Sequence, residues 1–90
     1  MYCVYMLMNE NGRLYIGVTT NLRKRLEYHR SSRGAKFTAY DKTFRIVFSE
    51  SYGTLTDARK REIQIKNWRR EKKDFLIAKF KNNQETKISK

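Results

Sequence analysis

Tyr2-Cys3-Val4-Tyr5-Met6-Leu7-Met8, then Asn9-Glu10-Asn11-Gly12, then Arg13-Leu14-Tyr15-Ile16-Gly17-Val18 follow one another without interruption. The first run is rich in bulky and β-forming residues, the second is turn chemistry and the third resumes the β pattern, which predicts an antiparallel hairpin. Asn11-Gly12 carries this reading, because both residues tolerate positive φ in a tight hairpin turn. Side chains alternate along a strand, so antiparallel pairing would bring Tyr5 and Tyr15 near one another on one face. Gly17 reads as the residue that ends the strand and lets the chain turn.

A short helix is expected next, from a cap at Thr19 or Thr20 through residues 21–30, closed by Ser31-Ser32 and Gly34. Leu22 and Leu26 would face the core, while Arg25 and His29, four apart, would stack one turn above the other on a neighbouring face. Residues 31–43 show no period and read as a basic loop with two aromatics, a candidate substrate contact. Phe44 to Ser51 reads as a third strand and Gly53-Thr54 as a break. A helix capped near Thr56 or Asp57 and running to about Arg70 follows, and on it Ala58, Glu62 and Ile65 share one side. That places a carboxylate within an otherwise apolar stripe. A last helix over Lys72 to Phe80 offers Phe75, Leu76 and Phe80 for burial, and residues 82–90 read as a polar, frayed tail to a single domain over 1–81.

A chain of 90 residues supports one modest core, and 39% hydrophobic residues with five Phe, six Tyr and one Trp suffice for it. Charge is the first functional clue. Against nine Asp and Glu stand 21 Lys and Arg, a net charge of +12. Such a surface attracts polyanions, nucleic acid first, because neutralising phosphates releases counterions independently of sequence. A membrane partner is not expected: no run approaches the roughly 20 apolar residues of a span, and no helix pairs a long cationic face with a broad apolar one. Cys3 is the sole cysteine, which excludes an intrachain disulfide and a cysteine-based zinc site and suits a reducing compartment. With Met1 to Met8 too short and mixed for a signal core, a cytoplasmic location is expected.

The order Val4-Tyr5, Tyr15-Ile16-Gly17, Arg25, His29 and Glu62, with the run from Gly17 to Leu26 and the Gly34-Ala35-Lys36-Phe37-Thr38 loop, resembles the GIY-YIG nucleases over residues 2–73. It looks most like their small stand-alone members, related to the nuclease modules of excision-repair incision subunits and structure-selective junction endonucleases. Cys3-Val4-Tyr5 stands where Gly-Ile-Tyr would be, and Asn67 is the candidate for a late Asn of the family. The resemblance implies an α+β domain with a small central three-stranded antiparallel sheet flanked by helices. It also implies a metal-dependent DNA endonuclease linked to repair or recombination. Tyr5, Tyr15, Arg25, His29 and Glu62 would be catalytic.

Cleavage of a phosphodiester requires that water lose a proton, that charge on a pentavalent phosphate be balanced, and that an alkoxide leave. By the same resemblance Glu62 would hold one Mg²⁺ or Mn²⁺, Arg25 would offer its planar fork to the phosphate, Tyr5 would be the general base and Tyr15 would position the water. His29 would relay a proton or bind phosphate. Lys24, Arg33, Lys36, Arg69 and Arg70 are the candidate DNA contacts, the last two forming with Trp68 a basic ridge. The expected substrates are branched, flap, damaged or single-stranded DNA, selected by shape, with a repair protein as a further expected partner.

Each residue taken singly has a plainer role. Tyr5 and Tyr15 would be half-buried strand tyrosines. His29 would stabilise a helix C-terminus, Glu62 would pair with Arg59 or Lys66, and Arg25 would be solvated charge. Two other functions therefore stand beside the nuclease: an inactive nucleic-acid-binding module, and a basic accessory protein for an acidic partner.

Overall fold

The computed structural model describes residues 1–30 and 42–83. Residues 31–41 of the expected basic loop, with Arg33 and Lys36, and residues 84–90 of the expected tail lie outside the described residues. Three strands, β1 (Tyr2–Met8), β2 (Leu14–Thr19) and β3 (Arg45–Tyr52), form one sheet of order β2-β1-β3. Both pairings are antiparallel. Helix α1 (Leu22–Arg30) follows β2, while α2 (Leu55–Lys66) and α3 (Arg70–Lys81) follow β3. The expected α+β architecture is therefore observed.

β1 is central because its middle is apolar on both faces: Val4, Tyr5, Met6 and Leu7 are all buried. Val4 and Met6 join Phe48, Ala58, Ile65 and Leu76 in one core against α2 and α3. Tyr5 and Leu7 join Phe44 in a second core, flanked by Leu22 and Leu26 of α1. The sheet is thus covered by α1 on one face and by α2 and α3 on the other. An irregularity in β3, where Met6 pairs with Phe48 but Leu7 with Ile46, leaves Val47 as the extra residue. A bulge of this kind flips the side-chain alternation, so Phe48 and Ile46 serve opposite cores although they lie two apart.

Several boundaries depart from expectation, each for a local reason. The hairpin forms, but its loop spans residues 9–13 and only Gly12 takes a positive φ, 82°. Asn9 organises it, its buried side-chain oxygen accepting from the backbone N–H of Asn11 at 3.0 Å and of Arg13 at 2.8 Å. Asn21, not a threonine, caps α1 by accepting from the N–H of Lys24 at 3.0 Å, and Thr19 Oγ1 in turn accepts from the N–H of Asn21 at 3.1 Å. Thr54 caps α2, accepting from the N–H of Asp57 at 3.1 Å, so the helix starts before the expected Thr56 or Asp57. It also stops at Lys66 instead of near Arg70, because the chain bends at residues 67–69 and lets Trp68 pack on the core. α3 then begins at Arg70, two residues early. Its Leu76 is buried and Phe80 packs on the core, but Phe75 is 64% exposed, contrary to expectation. The core-facing side of α3 passes through Leu76 and Phe80, one turn apart, and Phe75 falls beside it. Among the described residues no helix is long and apolar enough to cross a membrane.

Candidate active site

The sheet register decides where the tyrosines meet. Tyr5 pairs with Gly17 and Leu7 with Tyr15, so Tyr5 and Tyr15 are diagonal neighbours on one face, with ring centroids 6.3 Å apart. Gly17 sits inside β2, not at its end. A Cβ there would lie 2.7 Å from the Tyr5 hydroxyl oxygen and 2.9 Å from its Cζ, so the absent side chain is the space that the Tyr5 phenol occupies. Tyr5 is 1% exposed and Tyr15 41%, which makes one tyrosine the floor of the site and the other its mouth.

α1 supplies the next two groups. The His29 ring lies 4.1 Å from the Tyr15 ring and 5.9 Å from those of Tyr28 and Phe44, centroid to centroid. It is 4% exposed, and among the described residues its Nε2 has no hydrogen-bond partner. Burial, reinforced by the charge of Arg25, pushes the imidazole below its ordinary pKa. A neutral ring in an aromatic box neither binds phosphate as a cation nor stabilises a helix C-terminus by charge. One turn earlier, Arg25 has no carboxylate partner among the described residues, and its guanidinium lies 5.7 Å over the Tyr28 ring. With Thr19, Thr20, Asn21, Lys24 and Tyr28 it lines an open cleft of about 460 Å³. The amino end of α1 and two cations thus face one cleft, an arrangement suited to phosphate.

Glu62 arrives from α2. It is 6% exposed, with Oε1 accepting from Arg59 at 2.9 Å and Oε2 paired with Lys66 at 3.0 Å. Burial alone would raise its pKa, but hydrogen bonds and charge from these two cations hold the carboxyl below its usual value, so it is ionised. The Tyr5 phenol is driven the other way. Burial raises it well above the ordinary range, the neighbouring Tyr15 and the Glu62 carboxylate add to the rise, and Arg25 opposes it. These influences locate Arg25, Glu62 and Tyr15 within electrostatic reach of one hydroxyl. Charged or phenolic groups carried by β2, α1 and α2 thus act electrostatically on one phenol of β1.

Among the candidate DNA contacts, Lys24 lines the cleft, while Arg33 and Lys36 lie outside the described residues. Arg69 is the N-cap residue of α3. Arg70 pairs with Asp74 at 2.8 Å, and its guanidinium would lie 3.8 Å from a Cβ at Gly12 in the β1–β2 turn. Asn67 is the C-cap of α2, exposed, with its backbone N–H bonded to the last turn of that helix. Tyr28 and Phe44, which wall in His29, went unnoticed as site residues in the sequence. Only the i−1 position of Tyr28 beside His29 hinted at it.

Comparison with known proteins bears on the family and the fold. Residues 1–74 match the family described as the GIY-YIG catalytic domain. A UPF0213 protein of Bacillus pumilus is 36% identical over 81 residues, covering 90% of this chain and 83% of that protein. One from Staphylococcus aureus is 38% identical over 74 residues, covering 82% and 90%. The solution NMR structure of the UPF0213 protein BH0048 from Bacillus halodurans has a TM-score of 0.57 and 33% identity, covering 87% of this chain and 84% of that one. By the extent of the family match and the identity of these relatives, the chain belongs to the GIY-YIG catalytic domain family, within a nuclease superfamily.

Proposed function

We propose that the protein is an endonuclease that hydrolyses DNA phosphodiesters with the help of one divalent cation. The observation that carries this reading is a buried Tyr5 hydroxyl, near Tyr15, that feels the charges of both an ionised Glu62 and an Arg25 with no carboxylate partner among the described residues. A fold that only bound DNA would gain nothing from a buried carboxylate whose charge reaches the Tyr5 hydroxyl.

Glu62 fits a hard cation such as Mg²⁺ or Mn²⁺, being an ionised oxygen donor whose charge reaches the Tyr5 hydroxyl. Among the described residues no three His, Cys, Asp or Glu side chains cluster, so a cation held there keeps most of its waters and draws on the substrate. When bound, such a cation supplies charge stabilisation at the leaving oxygen. Arg59 and Lys66 hold both carboxylate oxygens in the free protein, and DNA phosphates are the natural alternative partners for those two cations. Metal and DNA therefore bind cooperatively.

Arg25 forks onto the scissile phosphate and balances its growing charge, with Lys24 and the amino end of α1 holding the neighbouring backbone. Tyr15, exposed at the mouth, takes the proton of the attacking water as its own phenolic proton passes to the neutral His29 held against its ring. Tyr5, kept protonated, donates a hydrogen bond and positions the water or phosphate. This assignment reverses the roles expected from the sequence, because burial separates the two phenols. Contacts of this kind position a backbone without reading bases, which favours selection by shape and a place in repair or recombination.

The inactive-binder reading has one observation in its favour, the double ion pair on Glu62. Cleavage of labelled single-stranded, duplex, flap and branched DNA by wild type and Glu62→Ala, with Mg²⁺, Mn²⁺ or chelator, separates the two. We expect metal-dependent cutting that disappears in the variant while DNA binding persists. Binding without cutting on every substrate would establish the binder instead. Tyr15→Phe should lose more turnover than Tyr5→Phe, and the opposite ranking would return the base to Tyr5.

A further inference from the structure

Arg61 immediately precedes Glu62 on α2, roughly 100° away around the helix, and turns towards β3 and Trp68. Between α2 and α3 lies a groove of about 180 Å³, lined by Arg61, Trp68, Lys72, Phe75, Leu76 and Lys79. Its cations sit on rings: Arg61 is 5.2 Å and Lys72 4.4 Å from the Trp68 centroid, and Lys79 is 5.4 Å from that of Phe75. Arg61 is locked by Glu50 at 2.9 and 3.2 Å and so fixes the indole. Lys72 and Lys79 have no carboxylate partner among the described residues. Phe75 holds a large apolar face in water between them, and positions 72, 75 and 79 fall along one side of α3. Phe75 and Lys79 also lie beyond residue 74, where the match to the shared catalytic domain ends.

We propose that this groove binds an unpaired stretch of the DNA substrate, one base stacking on Phe75 and the flanking phosphates held by Lys72 and Lys79. An exposed ring framed by lysines without a carboxylate partner among the described residues matches a nucleotide in both its parts, the flat base and the charged backbone. A peptide carboxylate would answer the cations and leave the ring uncovered. The proposal rests on DNA being the substrate, and it gives the enzyme a reason to prefer flaps and branches over plain duplex.

Trp68 is the only tryptophan and reports on the groove directly. Wild type and Phe75→Ala, both in chelator, would be titrated with an oligo-dT strand, an abasic strand of equal length, a blunt duplex and a polyglutamate peptide, reading Trp68 emission and anisotropy. Oligo-dT should quench Trp68 saturably and bind about tenfold or more tightly than the abasic strand. Phe75→Ala should bring oligo-dT down to the abasic level and leave duplex binding unchanged. Phe75 is exposed, so an unchanged thermal midpoint will show that the variant is folded. Equal binding of oligo-dT and the abasic strand, a Phe75→Ala variant matching wild type, or tighter binding of the peptide would overturn the groove while duplex binding leaves the nuclease reading standing. No binding of any DNA at low salt would overturn both.

Discussion

At the residue scale, Gly17 shows how a backbone position can serve chemistry without a side chain. Its strand conformation is ordinary, and what it provides is room for the Tyr5 hydroxyl. Gly17→Ala should force the phenol aside in a packed core, costing about 1–3 kcal/mol in denaturant unfolding and reducing cleavage more than a stability loss of that size explains. Unchanged turnover would detach the Tyr5 hydroxyl from catalysis. His29 makes a pH prediction with a defined sign. Its imidazole titrates below the ordinary 6.5 in the folded protein, so between the two values only the unfolded chain carries the proton. The stability it contributes is complete above about pH 6.5 and is lost as the pH falls towards the folded value. Glu62, also lowered, acts in the same direction in a more acidic window, from its ordinary 4.5 downward. Unfolding measured across pH should therefore show an early acid decline in wild type that His29→Phe lacks, with the later decline retained.

At the scale of elements, α2 is the part whose placement matters most, since it carries Glu62 on one side and Arg61 on another. Arg61 and Glu50 form a buried ion pair at 2.9 Å, and Tyr52 donates to the same carboxylate at 2.7 Å, tying α2 to β3. Removing one member of such a pair strands a buried charge. Glu50→Ala should cost about 3–5 kcal/mol in denaturant unfolding. Replacing both partners by apolar residues of similar volume should cost much less, and equal losses in the two variants would show that the charge is not what holds α2.

For the whole molecule, the +12 charge predicts DNA binding that weakens steeply with salt. Raising salt from 50 to 200 mM should lower affinity by a factor of ten or more, and Lys24→Gln should reduce the log–log slope by about 0.9. A slope insensitive to Lys24 would move the phosphate track away from the α1 cleft. The strands, the three helices and the catalytic candidates were legible in the chain, because apolar runs, turn residues and helical spacing are local properties and the family order of residues is a linear one. Element ends were less so. Competition between neighbouring caps such as Thr54 and Thr56, and the pull of the core on Trp68, are settled by packing. Three matters belong to the tertiary structure alone. The register laid Tyr5 over Gly17, and its enclosure pushed that phenol above its ordinary pKa while Tyr15 stayed exposed. The bend after α2 left Phe75 in water beside two lysines. Burial and electrostatic coupling depend on groups distant in sequence becoming neighbours, so composition and spacing named these residues, but only the fold assigned their states.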